Sequence, residues 1–351
     1  MKLRQKVTFA SGKRFPDRES GPARHDRALG SRAFAFMVTV ACVTILALPN
    51  VARASWPERS VKLIVTFPPG SANDAAARIF ADGLSKRWGK PVVVEDKPGA
   101  EGTIGVGSFV AAQDDHTLLY TVAGSVSVAP LLIDKLTYDV DRDIVPIAAT
   151  TAIVLTLAVS NDLAVETIPN LINVLRSNPG KYAWTSGPSL PRYVFASFLK
   201  RNGLLMNFVS YRDASQPQAD LGEGRIQVLV TSMTASASPV QTGKARFLAV
   251  INPTRAAALP ELQTARDLGY PDLEIDGLAG IFGGPAMSAE LRNRIAADVA
   301  AICQEPEARR KLEAAGHNVL EGTTEELKGA ITKQRAWLGE VTKIIDIRNA
   351  Q

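Results

Sequence analysis

Residues Val61 to Trp88 read VKLIVTFPPGSANDAAARIFADGLSKRW, and this stretch decides the fold. Val61 to Phe67 is continuous and rich in β-branched residues, as a buried strand requires. Pro68-Pro69-Gly70-Ser71-Ala72-Asn73-Asp74 is a run of chain breakers ending in helix-capping residues, and Ala75 to Trp88 sets Ile79, Phe80 and Leu84 on one helical face. Outward from this unit the rhythm repeats. Pro91 to Glu95 is a second short strand, Lys97-Pro98-Gly99-Ala100-Glu101-Gly102 a glycine-rich turn, and a small-residue helix runs through Val110 and Ala112 to the strand Thr117 to Val122. Strands alternating with helices predict parallel strands covered by helices, the α/β class.

The second half has the same grammar. Val154 to Val159 reads as a strand, Thr167 to Ser177 as a helix, Tyr182 to Thr185 as a strand, and Pro191 to Arg201 as a helix closed by Gly203. Phe208 to Tyr211, Ile226 to Thr231 and Ala245 to Ile251 add further strands. Two α/β lobes are therefore expected. From Ser288 onward the chain reads as helical: Ser288 caps a run to Gln304, Pro306 opens a helix that stops before Gly316, and Thr323 with Glu326 forms a capping box. No tandem repeat or low-complexity segment interrupts residues 55–351.

Charge is distributed unevenly along the 351 residues. The chain carries 40 Lys/Arg and 35 Asp/Glu; ten and three of these fall in the first 54 residues, leaving 30 against 32 in the other 297. The basic character belongs to the N-terminus, so a nucleic-acid partner, which needs a basic patch on the folded body, is not expected. Ala33 to Leu48 is an apolar run of 16 residues behind a basic leader, shorter than the ~20 that span a bilayer. It is followed by the small-x-small site Ala52-Arg53-Ala54. This is the pattern of a secretory signal peptide over residues 1–54, cleaved after about Ala54; a retained anchor is the alternative. The remaining length suits two domains of ~150 residues. Cys303 is then the one cysteine left and reads as a small buried apolar residue. With His116 and His317 as the remaining histidines, no metal site is expected.

Two loops can carry chemistry. At the exit of the first strand, Phe67, Pro69, Gly70, Ser71, Ala72, Asn73 and Asp74 lead into a helix whose first-turn N–H groups and dipole attract anions. Gly70 and Ser71 keep bulk away, and Ser71, Asn73 and Asp74 supply capping oxygens. The functional reading is a carboxylate-binding loop; from local composition a plain, well-capped connection is the simpler one. The second loop, Thr185-Ser186-Gly187-Pro188-Ser189-Leu190-Pro191, repeats this arrangement in the other lobe, and two such loops face to face would form an interdomain cleft. Arg192 and Arg212 lie beside cleft elements, where either could pair with a ligand carboxylate or simply be exposed.

Other chemistries fit poorly. Neither loop has the Gly-Lys-Ser/Thr ending of a phosphate loop, and Gly99 to Gly107 holds no dinucleotide fingerprint, so no cofactor is expected. Ser189 lacks the second glycine of a nucleophile elbow. His116, in Asp114-Asp115-His116-Thr117, reads as a solvated or capping residue, and His317, after Gly316, as a surface one. Asp139, Asp141 and Asp143 read as turn formers.

The order of these motifs resembles the Bug family, the periplasmic solute receptors of tripartite tricarboxylate transporters. The likeness runs from Trp56 to about Arg348. It rests on Trp56-Pro57, Phe67-Pro68-Pro69-Gly70 with Asp74 and Arg78, Val92-Val93-Val94-Glu95-Asp96-Lys97-Pro98-Gly99-Ala100 with Gly102, and Asp114 with Thr117-Leu118-Leu119. Tyr138-Asp139, Asp143, Pro146, Asn178-Pro179-Gly180-Lys181, Gly243-Lys244, Leu248-Ala249-Val250, Arg255, Leu259-Pro260 and Leu268-Gly269-Tyr270-Pro271 complete it. The chain departs from the family pattern at Ser71, where a second glycine is usual, at Tyr193, often histidine, at Asp114-Asp115-His116-Thr117, and at Ser210-Tyr211.

The resemblance implies a two-lobed periplasmic binding protein of the type II, Venus-flytrap form, an α/β fold closing on a small organic acid. Lobe 1 is expected over residues 55–155 with a return segment over 278–351, and lobe 2 over 156–277. The implied ligand contacts are the Phe67 to Asp74 loop, Ser186, Gly187, Ser189 and Leu190, with the turn Ala123-Gly124-Ser125 lining the same cleft through Gly124 and Ser125. The expected protein is a monomeric, non-enzymatic periplasmic receptor that passes its solute to inner-membrane transporter subunits. The alternatives are a sensor for a signalling partner and a hydrolase using Ser189 or Ser71.

Overall fold

The structure is a computed structural model describing residues 56–347 except positions 134, 188, 212 and 214. The expected leader and Arg212 lie outside the described residues.

Chain order sets the strands as β1 (Val61–Val65), β2 (Val92–Asp96), β3 (Thr117–Val122), β4 (Val145–Ile153), β5 (Leu155–Ser160), β6 (Ala183–Ser186), β7 (Asn207–Phe208), β8 (Val228–Ser232), β9 (Ala245–Val250), β10 (Leu278–Gly283) and β11 (His317–Val319). The longer helices are α1 (Ala72–Trp88), α2 (Thr103–Ala112), α3 (Ala123–Leu132), α4 (Ile168–Ser177), α5 (Leu190–Arg201), α6 (Ala289–Gln304), α7 (Pro306–Ala314) and α8 (Thr324–Val341). One sheet runs β11-β4-β10-β3-β1-β2, the other β7-β6-β8-β5-β9.

The first sheet is buried on both faces. Val61, Leu63 and Val65 point with Phe80 and Leu84 of α1 into one core, which α6 completes through Ile295, Val299 and Ile302. Ile64 and Leu119 point to the opposite core with Phe109 of α2 and Leu327 of α8. Double burial explains why β1 reads as a continuous apolar run, broken by Lys62, which is exposed and pairs with Glu95 at 3.0 Å. In the second sheet Leu157, Trp184 and Val230 pack on Phe195, Phe198 and Leu171. The capping box predicted at Thr323 is present: its Oγ1 accepts from the Glu326 amide at 3.2 Å, while Glu326 accepts from the Thr323 amide at 3.0 Å.

The parallel expectation holds for β1 with β2 and β3, and for β6 with β7 and β8. It fails elsewhere: β10 runs antiparallel between β3 and β4, β11 is antiparallel to β4, and β5 is antiparallel to β8 and β9. These pairings arise where the chain passes between sheets, so no local strand-helix-strand unit dictates their direction. Only Val154 separates β4 from β5, and the return lies between β9 and β10. Gly280 in β10 is required by this wedging, because a Cβ there would stand 2.6 Å from Leu327 Cδ2 and 2.8 Å from the Ala148 carbonyl.

Three local expectations are corrected. Ala123-Gly124-Ser125 is the first turn of α3 and follows β3 directly. Phe208 to Tyr211 yields strand only over Asn207–Phe208. Both histidines among the described residues are buried: His116 is 7% and His317 1% exposed. His116 pairs through Nδ1 with Asp115 at 2.7 Å and accepts from the Glu58 amide at Nε2, so burial leaves both ring nitrogens satisfied. Cys303 is buried as expected.

Candidate functional site

The exit of β1 is built by side chains that fold back on their own backbone. Ser71 is the N-cap of α1, its Oγ accepting from the Asp74 amide at 3.2 Å. Asp74 turns back to accept from the Gly70 amide at 2.7 Å, and its other oxygen lies 2.7 Å from Arg78 Nε. Arg78 also reaches Asp96 at 2.8 Å. Burial, and then the nearby charge of Asp74, raise the Asp96 pKa above the usual aspartate value, with Arg78 opposing. Asp74 thus shapes the loop and is already committed within it. As the first two residues of α1, Ala72 and Asn73 present amides with no carbonyl one helical turn earlier. Asn73 is 3% exposed, and its Oδ1 has no hydrogen-bond partner among the described residues. Pro69 and Gly70 are exposed, and Phe67 packs on the core under α1.

His317 supports this loop from below. Its Nε2 stands 3.0 Å from the Ala72 carbonyl, and its Nδ1 2.8 Å from Thr151 Oγ1. A carbonyl only accepts, so Nε2 carries the proton and Nδ1 accepts from Thr151. Burial pushes its pKa down to about 4, and the ring is neutral at pH 7. The sequence signal for this residue was misleading, because a histidine after a helix-stopping glycine is ordinarily a surface residue.

The β6 exit lies in the second sheet. Gly187 is closely packed: a Cβ there would be 2.8 Å from Thr231 Oγ1. Ser186 Oγ is buried and unpartnered. Ser189, the N-cap of α5, has φ 66° and ψ −134°; it is 6% exposed, and its Oγ is unpartnered. Leu190 is buried behind it, and the Arg192 guanidinium lies 4.3 Å from the centre of the Phe208 ring.

The helix starts of α3 and α5 meet. A Cβ on Gly124 would stand 2.9 Å from Ser189 Oγ and 3.0 Å from Leu190 Cδ1, so glycine permits this approach. Ser125 is buried beside Gly102, whose Cβ would fall 2.8 Å from Ser125 Oγ and 3.4 Å from Thr66 Cβ. The glycine-rich turn, the β1 exit and both helix starts are thereby brought together. Sequence reasoning passed over one residue here, Glu101. It occupies the left-handed region at φ 56°, and its carboxylate accepts from the Ser189 amide. Burial raises its pKa above the usual glutamate value, against the opposing effects of that bond and of the Arg192 charge. Its available signal was its position, a charged residue enclosed in Gly99-Ala100-Glu101-Gly102.

Two sheets joined by closely spaced crossings, with polar loops and helix starts meeting between them, define the class of two-lobed periplasmic binding proteins. The chain belongs to the tripartite tricarboxylate transporter family of receptors, whose family model matches residues 76–347. Among curated relatives, a UPF0065 protein of Bordetella bronchiseptica is 26% identical over 334 residues, covering 93% of this chain and 98% of its own. Protein BugT of Bordetella pertussis is 29% identical, over 63% of this chain and 69% of its own. A solved periplasmic transporter superposes with a TM-score of 0.75 at 26% identity, covering 85% of this chain and 99% of that one. An R. palustris protein solved with adipate also gives a TM-score of 0.75, at 24% identity and 82% and 98% coverage.

Proposed function

We propose that this protein is an exported receptor, delivered to the periplasm by cleavage after about Ala54, that captures a small organic acid between its lobes and hands it to an inner-membrane transporter of the tripartite type. The observation that carries this reading is a set of buried, unpartnered polar atoms on the loops of both lobes, Asn73 Oδ1 and Glu101 Oε2 in the first and Ser186 Oγ and Ser189 Oγ in the second, with the Glu101 carboxylate accepting from the Ser189 amide across the junction. Such atoms cost stability when left unpaired, and a solute that pairs with them recovers it. The solute's carboxylate belongs on the Ala72 and Asn73 amides, where helix dipole and free donors coincide. The adipate-bound relative of the same fold supports a carboxylate ligand. A solute touching both lobes stabilises the closed arrangement over the open one, and that difference drives closure. Hydrolysis is disfavoured: His116 and His317 are both committed away from Ser189, which leaves it without an imidazole base among the described residues.

A thermal-shift panel of small carboxylates, adipate included, tests the reading. A bound solute at about 100 times its Kd adds ~2.7 kcal/mol, which for a chain of this size raises Tm by roughly 4 °C. Ser71→Trp and Ser186→Trp should each abolish the shift, read against each variant's own unliganded Tm, which falls by a few degrees because Ser71 caps α1 and Ser186 Oγ is buried. A flat panel counts against the receptor, and binding retained in both tryptophan variants puts the site elsewhere.

A further inference from the structure

Glu101 sets the lobe junction apart from a simple anion trap. Its carboxylate leaves a turn of the first lobe at φ 56° and takes the Ser189 amide at the start of α5, in the second lobe. The anion position at that helix start is therefore filled by the protein's own carboxylate. Burial raises the Glu101 pKa, the Ser189 bond and the Arg192 charge oppose that rise, and the Tyr193 hydroxyl lies within the field of Glu101. Even so, Oε2 is buried without a partner. An ionised carboxylate only accepts hydrogen bonds, so what completes this group is a donor. A second carboxylate placed there would meet a like charge in a poorly solvated spot.

Resting on the receptor reading above, we infer that Glu101 makes the cleft selective for solutes that carry a carboxylate at one end and a hydrogen-bond donor, an ammonium or an amide N–H, at the other. The carboxylate lies on the Ala72 and Asn73 amides, and the donor meets Glu101 Oε2. Another unpartnered atom, Ser189 Oγ, belongs to the residue whose amide Glu101 takes, a residue only 6% exposed. A hydrogen bond to a charged group is strong enough to separate matched solutes by about tenfold or more.

The test is titration calorimetry on residues 55–351 and on Glu101→Gly, with length-matched solutes: succinate, succinamate and β-alanine, then adipate and 5-aminopentanoate. Glycine suits φ 56° better than glutamate does, so the variant keeps the fold, which an unchanged circular dichroism spectrum verifies. The wild type should bind the donor-bearing member of at least one series about tenfold tighter than its dicarboxylate. Glu101→Gly should erase or invert that preference. A wild type that prefers the dicarboxylates, or a variant that keeps the wild-type order, overturns the inference and leaves the receptor reading standing. No binding of any of the five solutes to either protein overturns both.

Discussion

His317 carries the clearest consequence at the scale of one residue. Its pKa is lowered to about 4 in the fold from 6.5, and burial is the cause. The unfolded chain therefore binds a proton between these values that the folded chain refuses. This contribution to stability is fully present above pH 6.5 and is lost as pH falls from 6.5 to about 4. The loss amounts to roughly 3 kcal/mol. Urea unfolding across this window should show the wild type losing more stability than His317→Gln, which keeps a donor for the Ala72 carbonyl; parallel pH profiles would refute it. At this scale the sequence was only partly legible. Ser71 as a cap and Cys303 as a buried residue follow from local rules. The places of His317 and Glu101 depend on β11 passing beneath α1 and on α5 arriving opposite the glycine-rich turn, contacts between residues far apart in the chain.

At the scale of elements, the passage from β4 to β5 is held by Asn252, which is 2% exposed. Its Oδ1 accepts from the Leu155 amide at 2.7 Å, and its Nδ2 donates to the Ile153 carbonyl at 2.9 Å. Asn252 thus ties the last residue of β4 to the first of β5 across Val154. Asn252→Ala leaves both backbone groups buried and unpaired, and should cost about 2–4 kcal/mol, measured as a lower urea midpoint. A loss under about 0.5 kcal/mol would mean that the crossing does not depend on it. Strand-helix units such as β1 with α1 were readable because breakers and caps flank them. β4 and β10 were not. Each is a small apolar run, VPIAATTAI and LAGIFG, whose strand character comes from sheet neighbours supplied by distant parts of the chain.

At the scale of the whole molecule, the division of charge and the two sheets bear on function together. The residues after position 54 hold nearly balanced charge, 30 basic against 32 acidic, so no general positive field draws in an anion. Under the proposed function, capture is local, through the first-turn amides of α1 and the unpartnered polar atoms of the neighbouring loops. The α/β class and the existence of two lobes were legible from alternation alone; the mixed strand directions were not, since they follow from the two crossings. The proposed function has one small carboxylate bridging the lobes at this junction. The most direct measurement is a crystal structure of residues 55–351 with a solute chosen from the thermal-shift panel. The carboxylate should lie on the Ala72 and Asn73 amides, with the remote end against Glu101 and Ser189. A solute bound to one lobe only, or away from both helix starts, would contradict it.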